Sequence, residues 1–160
     1  MTKQKFVQVV VTFLGAGLSP KAPGTVGTLA ALPLVYLLTL TGPLLYMAAV
    51  VLLAILGMWA SEQYEQLKGG HDHQEIVIDE VVGILITMTL VPLTWQSVLA
   101  GFILFRALDI LKPFPIGTLD KKVRGGMGVM ADDMAAGIIA NILLQIVLVK
   151  TAWLGVQLSY

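Results

Sequence analysis

The chain has 160 residues and no net formal charge, and it contains no cysteine; 57% of its residues are hydrophobic and only 12% are charged. Ordinary soluble domains carry roughly 25% charged residues, so this chain has too few charged residues to cover the surface of a water-soluble domain of its size. The composition excludes a disulfide framework, a thiolate metal site and a cysteine nucleophile. It gives no indication of nucleic-acid binding, and it predicts one helical membrane domain over residues 1–160.

The N-terminus is basic and then apolar. Lys3 and Lys5 precede an apolar run at residues 6–14. This run is shorter than the roughly 17–25 residues that cross a bilayer as a helix, and no clear small-residue cleavage site follows it. We therefore expect a segment that lies at the membrane interface.

Five longer apolar stretches follow, and each predicts a membrane-spanning helix. They cover residues 26–41, 44–60, 76–93, 95–111 and 134–149. The breaks between them fall at Gly and Pro clusters such as Gly42-Pro43 and Gly69-Gly70, which interrupt helices. The predicted fold is all-α, a multi-pass bundle of about five helices with an N-terminal interfacial segment.

Outside the apolar stretches, charged residues lie in alternate connections, and Lys150 is the exception. The loops predicted at 61–75 and 112–133 are charged, whereas the two other connections between spans carry no charge. Because consecutive helices alternate in direction, the charged loops lie on one side, and their Lys and Arg residues mark it as cytoplasmic. Charges within the apolar stretches fall at the same helix ends, which predicts a single polar layer. Those residues are Asp79, Glu80, Arg106, Asp109, Asp132 and Asp133.

Two acidic pairs share a pattern with glycine. Asp79 precedes Gly83 by four residues, and Asp133 precedes Gly137 by four, so each acid shares a helical face with its glycine. Glycine lets another helix approach closely. Helix capping explains one acid at a helix start. A second adjacent acid favours a hard cation such as Mg²⁺, which carboxylates bind. Both interpretations remain open from the residues alone.

Basic and hydroxyl side chains near these acids can hold an anion. Arg106 lies three residues before Asp109, where it either neutralises that acid or binds a phosphate, and Lys112 follows about two turns after Arg106. A Gly/Pro-rich turn with Lys21 and Thr25 precedes the first span. Free N–H groups at such a helix start bind anions, although the order of a P-loop is missing.

A histidine pair and a basic cluster leave alternatives open. His71 and His73 follow Gly69-Gly70; they form a solvated turn, a weak zinc motif or a proton-transfer site. Arg124 belongs to a basic cluster that either contacts anionic lipid headgroups or binds substrate.

Three long segments, at 17–33, 71–83 and 105–137, resemble the bacterial phosphatidylglycerophosphatase A family in order along nearly the whole chain. The resemblance implies a Mg²⁺-dependent lipid phosphatase of the inner membrane. Such an enzyme converts phosphatidylglycerophosphate to phosphatidylglycerol, a cardiolipin precursor.

The resemblance also implies roles for the charged residues. Metal binding is expected from Asp79, Glu80, Asp109, Asp132 and Asp133. Phosphate binding is expected from Lys21, Arg106 and Lys112. The charge pattern, rather than the resemblance, adds Thr25 and Arg124 as candidates for phosphate or substrate binding. It also assigns catalysis to Asp79, Asp109 and Asp133, with His71 or His73 as a proton donor to the leaving group. Attack by water and a covalent aspartyl-phosphate are both open, and the oligomeric state is not indicated.

Three other functions explain part of the pattern. A CDP-alcohol headgroup transferase also needs paired acids at a membrane face, but its DGxxAR…G…D…D pattern is absent. A small ion transporter requires ionisable residues at mid-membrane, whereas here they are predicted at one end. An assembly protein without chemistry leaves the coincidence of acids and bases unexplained.

Overall fold

The computed structural model of the chain describes residues 2–70, 73–114, 116–118 and 125–156. Within them the fold is all-α, as predicted. The helices are α1 (Lys3–Val11), α2 (Pro23–Thr39), α3 (Pro43–Lys68), α4 (Ile78–Thr87), α5 (Trp95–Leu111) and α6 (Gly125–Lys150), with a 3₁₀ turn at Ala16–Leu18. Residues 116–118 add a short helical turn.

The centre of the bundle is α4. Seven of its 10 residues are buried, and it packs against α2, α3, α5 and α6. The surrounding helices expose large apolar side chains on their outer faces, among them Leu44, Leu52 and Ile55 of α3. A contiguous apolar outer surface suits lipid better than water.

The single helix predicted over residues 76–93 is wrong, because α4 ends at Thr87. Its 10 residues rise about 15 Å, half of a hydrocarbon layer about 30 Å thick. Irregular backbone follows, with Leu90 in the left-handed region at φ 58°. Asn141 of α6 donates hydrogen bonds to the carbonyls of Thr87 and Thr89 at 2.9 and 2.8 Å. These bonds satisfy carbonyls that the end of a short helix leaves unpaired.

Two helices extend into segments predicted as loops. Residues 61–68, predicted as loop, continue α3, and α6 begins at Gly125, within the predicted loop 112–133. Glu, Gln, Leu and Lys dominate residues 62–68 and favour helix, and α3 stops only at Gly69, with φ 72°. At 26 residues each, α3 and α6 are the helices of the described chain that are long and apolar enough to cross a membrane, and α2 is a shorter apolar helix.

Helix α1 has nine residues and is too short to cross a bilayer, and its placement at the membrane interface stays a prediction. Val7 and Val11 are buried, while Phe6 and Val9 are partly exposed. Lys3 Nζ donates to Gln63 Oε1 of α3 at 2.7 Å. These contacts hold α1 along the end of α3 that adjoins the polar cavity described next.

Candidate active site

The ends of α2, α4, α5 and α6, together with the loop before α4, surround a polar cavity of about 620 Å³. The first turns of α2 and α4 and the last two turns of α5 contribute to its wall, and α6 contributes residues about two turns from its start. The charged side chains that line it among the described residues are Asp79, Glu80, Arg106, Asp109, Lys112, Asp132 and Asp133. Residues that are distant in the sequence therefore share one cavity.

Two glycines explain why acids of α4 and α6 meet. A Cβ atom at Gly137 would lie 2.5 Å from the carbonyl oxygen of Gly83, and one at Gly83 would lie 3.1 Å from that of Asp133. The helices therefore cross backbone to backbone, which is a close approach that glycine permits. Asp79 and Asp133 lie one turn nearer the cavity on the same faces, so the crossing brings their carboxylates together.

The carboxylates form two overlapping groups. One oxygen from each of Asp79, Glu80 and Asp133 lies within 4.8 Å of the others, and the same holds for Asp109, Asp132 and Asp133. Asp133 belongs to both groups and is only 3% exposed. Asp133 Oδ2 and Glu80 Oε2 are buried without a hydrogen-bond partner in the described structure. Crowded, desolvated carboxylates repel one another unless positive charge offsets them, and the arrangement fits a divalent cation held by oxygen ligands.

Arg106 and Lys112 supply positive charge to this cavity. Arg106 Nη1 lies 2.5 Å from Asp109 Oδ2 and 3.6 Å from Glu80 Oε1. Lys112 Nζ lies 2.7 Å from Asp132 Oδ2. The Nε atom of Arg106 is buried without a partner in the described structure, so the guanidinium retains an unused donor. Among the described lining residues, five carboxylates face these two cations, and a phosphate dianion needs further positive charge to enter.

The Gly/Pro-rich turn brings backbone to the cavity. Ala22, Pro23 and Gly24 line it. Ala22 is in the left-handed region at φ 46° and Pro23 starts α2, whose first N–H groups have no intrahelical acceptor. A Cβ at Gly24 would overlap the Glu80 carboxylate and lie 3.2 Å from Arg106 Nη1. Gly24 was not among the predicted site residues, because in the sequence it resembles any glycine of a turn.

Lys21 and Thr25 flank this backbone segment but are not part of the described cavity lining. Lys21 is exposed, and its carbonyl accepts a hydrogen bond from Ser19 Oγ at 2.9 Å. Thr25 is half-buried. Phosphate binding by these two side chains stays a prediction, whereas the neighbouring backbone lies at the cavity.

His73 lies on the cavity wall in a fixed orientation. Its Nε2 is 2.9 Å from the carbonyl oxygen of Gly69, and its ring packs edge-on against Tyr64, with the centroids 5.9 Å apart. A carbonyl only accepts, so Nε2 carries the hydrogen, and in the neutral ring Nδ1 is the basic nitrogen. The Lys68–Glu75 ion pair ties the same loop to α3, and the hydrogen bond from Lys68 lowers the pKa of Glu75. His71 and Arg124 lie outside the described residues.

Glu62 holds the start of α6 against α3. Its Oε2 accepts the backbone N–H of Gly126 at 2.7 Å. Gly125 lies in the left-handed region at φ 69°, a conformation that glycine adopts without strain, and the carboxylate satisfies a free N–H at the helix start. Glu62 was not predicted for this role because its position was assigned to a loop.

The family model for phosphatidylglycerophosphatase A matches residues 9–148 of the chain. Phosphatidylglycerophosphatase A of Escherichia coli (strain K12) is 47% identical over 127 residues, which cover 79% of this chain and 74% of that protein. The protein of the same name from Haemophilus influenzae is 43% identical over 138 residues, 85% of each chain. No solved structure matches this chain. The chain therefore belongs to the phosphatidylglycerophosphatase A family and is a phosphatase.

Proposed function

We propose that the protein removes the terminal phosphate of phosphatidylglycerophosphate, with Mg²⁺ as its cofactor, and releases phosphatidylglycerol and inorganic phosphate. The observation that carries this proposal is the single cavity in which five carboxylates and two cations from three helices meet backbone N–H groups of a fourth. The two relatives carry this substrate in their names. The reaction belongs to phospholipid synthesis and leads towards cardiolipin.

The carboxylates fit Mg²⁺, which prefers oxygen ligands. The ligands would come from Asp79, Glu80, Asp109, Asp132 and Asp133. Asp133 Oδ2 and Glu80 Oε2 have the greatest need of a cation, since both are buried without a hydrogen-bond partner in the described structure. When bound, the ion supplies Lewis-acid stabilisation of the charge on the phosphoryl oxygens.

Arg106 orients the phosphate. Its Nη1 is engaged by Asp109, which fixes the plane of the guanidinium, and its other donors can bind two phosphoryl oxygens at once. The free N–H groups at the start of α2 lie beside Arg106, where a Cβ at Gly24 would be 3.2 Å from Nη1, and they favour negative charge. Lys112 compensates Asp132. These groups hold the phosphorus in line between the attacking oxygen and the leaving glycerol oxygen.

His73 donates the proton that the leaving group needs. As the phosphorus–oxygen bond breaks, a proton passes from Nδ1 of the imidazolium to the glycerol oxygen. The hydrogen bond from Nε2 to Gly69 keeps the ring oriented throughout. Water is the proposed attacking group. A phosphoenzyme trapped by acid quench would instead establish the aspartyl-phosphate route.

The proposed location is the bacterial inner membrane, with several helices crossing it and the cavity on the cytoplasmic side. Two helices of the described chain have the length and apolarity to cross. The basic residues that flank the cavity end of the bundle, including Lys3, Lys5 and Lys21, favour the cytoplasmic face.

The test is phosphate release by purified protein from dioleoyl phosphatidylglycerophosphate in detergent micelles. We expect equal amounts of inorganic phosphate and phosphatidylglycerol, complete loss with EDTA, and recovery with excess Mg²⁺. Phosphatidate and lysophosphatidate, assayed in parallel, measure the headgroup preference. Absence of phosphate release, or release that persists in EDTA, would overturn the proposal.

A further inference from the structure

Large apolar side chains are exposed on the chain segments that also line the polar cavity. Ile110 and Leu111 lie between Asp109 and Lys112, which line the cavity, and are 66% and 77% exposed. Phe114 follows Lys112 by two residues and is 87% exposed. Two further exposed apolar residues, Leu18 and Met127, precede the wall segments that begin at Ala22 and Gly128. We call this set the apolar rim: Leu18, Ile110, Leu111, Phe114 and Met127.

One rim residue, Ile110, also belongs to an apolar stripe on the outer face of α5. Trp95, Leu99, Ile103 and Ile110 are each more than half exposed, and their spacing places them along one side of the helix. From Trp95 to Ile110 the stripe is about 22 Å long at 1.5 Å per residue. Tryptophan is enriched where membrane meets water, and Trp95 forms a groove with Trp153 at the far end of the stripe. The stripe therefore suits contact with lipid hydrocarbon, with Trp95 at its aromatic end and the polar cavity near its other end.

We infer that the apolar rim seats the acyl segments next to the glycerol of a membrane-embedded lipid phosphomonoester, while its phosphate enters the cavity. This inference rests on the proposed function and adds the residues that select a lipid over a water-soluble phosphate ester. Acyl methylenes that pack against the rim are removed from water, which stabilises the bound substrate. A substrate with short chains lacks that contribution to the binding free energy. Leu111 and Phe114 carry the largest exposed surface and are the main selecting residues.

The experiment compares two substrates that share a headgroup. One is dioleoyl phosphatidylglycerophosphate in nanodiscs, and the other is its dibutyryl analogue, free in solution. The variants are Leu111→Ser, Phe114→Ser and the double variant. Ile103→Ser is the matched control, because Ile103 is 55% exposed on the same helix but lies about two turns from Leu111. Leu111→Ile with Phe114→Leu tests rescue by another apolar pair.

We expect the double variant to lose at least tenfold in kcat/KM for the dioleoyl substrate and less than twofold for the dibutyryl one. The control and the rescue variant should stay within twofold of wild type. An equal fall for both substrates, a similar fall in Ile103→Ser, or no fall at all would overturn the inference. If the wild-type protein hydrolyses neither substrate, the proposed function fails and the rim inference fails with it.

Discussion

At the scale of single residues, the cavity combines charges that the fold could not bury separately. Arg106 contacts acids of two helices, Glu80 of α4 and Asp109 of α5. Each unpaired charge in such a place would cost several kcal/mol. The acids and Arg106 were predictable because charges stand out in apolar sequence. Gly24 was not, because what distinguishes it is its closeness to Glu80 and Arg106, and that depends on the tertiary structure.

Arg106→Lys should weaken substrate binding while the positive charge remains. An ammonium cannot both hold Asp109 and bind two phosphoryl oxygens. The loss of one charge-assisted hydrogen bond, about 1.5–3 kcal/mol, corresponds to roughly a 10- to 100-fold lower kcat/KM. Steady-state kinetics that determine KM and kcat separately measure this loss. Lys150→Ala, an exposed basic residue at the end of α6, is the control. A wild-type kcat/KM in Arg106→Lys would contradict the phosphate role.

His73→Gln should lower kcat because the side chain no longer donates a proton. General acid catalysis contributes about 10²- to 10⁴-fold, so we expect a loss in that range with little change in KM. Tyr64→Phe is the control, since it keeps the ring against His73 and removes only the hydroxyl. Equal turnover in His73→Gln and wild type would exclude His73 as the acid.

At the scale of helices, the crossing of α4 and α6 decides where the acids lie. The spacing of an acid and a glycine in both helices indicated where another helix could approach, but it did not show that α4 and α6 contact each other. The ends of α5 were predicted correctly at Trp95 and Leu111, where a Thr94–Ser97 capping box starts the helix. The end of α4 was not predicted, because the apolar stretch continues past Thr87. The hydrogen bond that Asn141 donates to the Thr87 carbonyl depends on the tertiary structure. Charged helix in α3 was mistaken for loop.

Gly137→Ala should force α4 and α6 apart. The new Cβ would meet the backbone oxygen of Gly83 at 2.5 Å, and backbone cannot yield as a flexible side chain does. Overpacking costs about 1–3 kcal/mol, and the better helix propensity of alanine offsets up to about 1 kcal/mol. Thermal unfolding in detergent should show the loss, together with reduced phosphate release. Ile138→Ala, at the exposed next position, should change stability by about 0.5 kcal/mol or less. An unchanged melting temperature in Gly137→Ala would refute the close crossing.

At the scale of the whole molecule, the predicted polar layer exists as one cavity at one end of the bundle. Its placement relative to the membrane remains a prediction from the distribution of Lys and Arg. The number of helices that cross is also not given by the fold, since two helices of the described chain have the required length and α4 is the buried centre. Hydropathy predicts that a segment is buried, and it does not separate burial in protein from burial in lipid.

Single-cysteine labelling tests how α3 is placed in the membrane. The chain has no native cysteine, so only the introduced thiol is labelled. Lys68→Cys and Thr41→Cys place thiols at exposed positions beyond opposite ends of the apolar part of α3. A membrane-impermeant maleimide should label Lys68→Cys from the cytoplasmic side and Thr41→Cys from the opposite side. Labelling of both variants from the same side would contradict a spanning α3.

The central claim is that acids from α4, α5 and α6 form one cation site. The most direct test is Mn²⁺ binding to the substrate-free protein, followed by electron paramagnetic resonance, in wild type and Asp133→Asn. Asp133 belongs to both carboxylate groups, so its substitution should weaken Mn²⁺ binding at least tenfold, and excess Mg²⁺ should displace Mn²⁺ from the wild type. The melting temperature without metal should stay equal or rise, because a buried like charge is removed. Mn²⁺ affinity that is the same in Asp133→Asn and wild type would contradict the account.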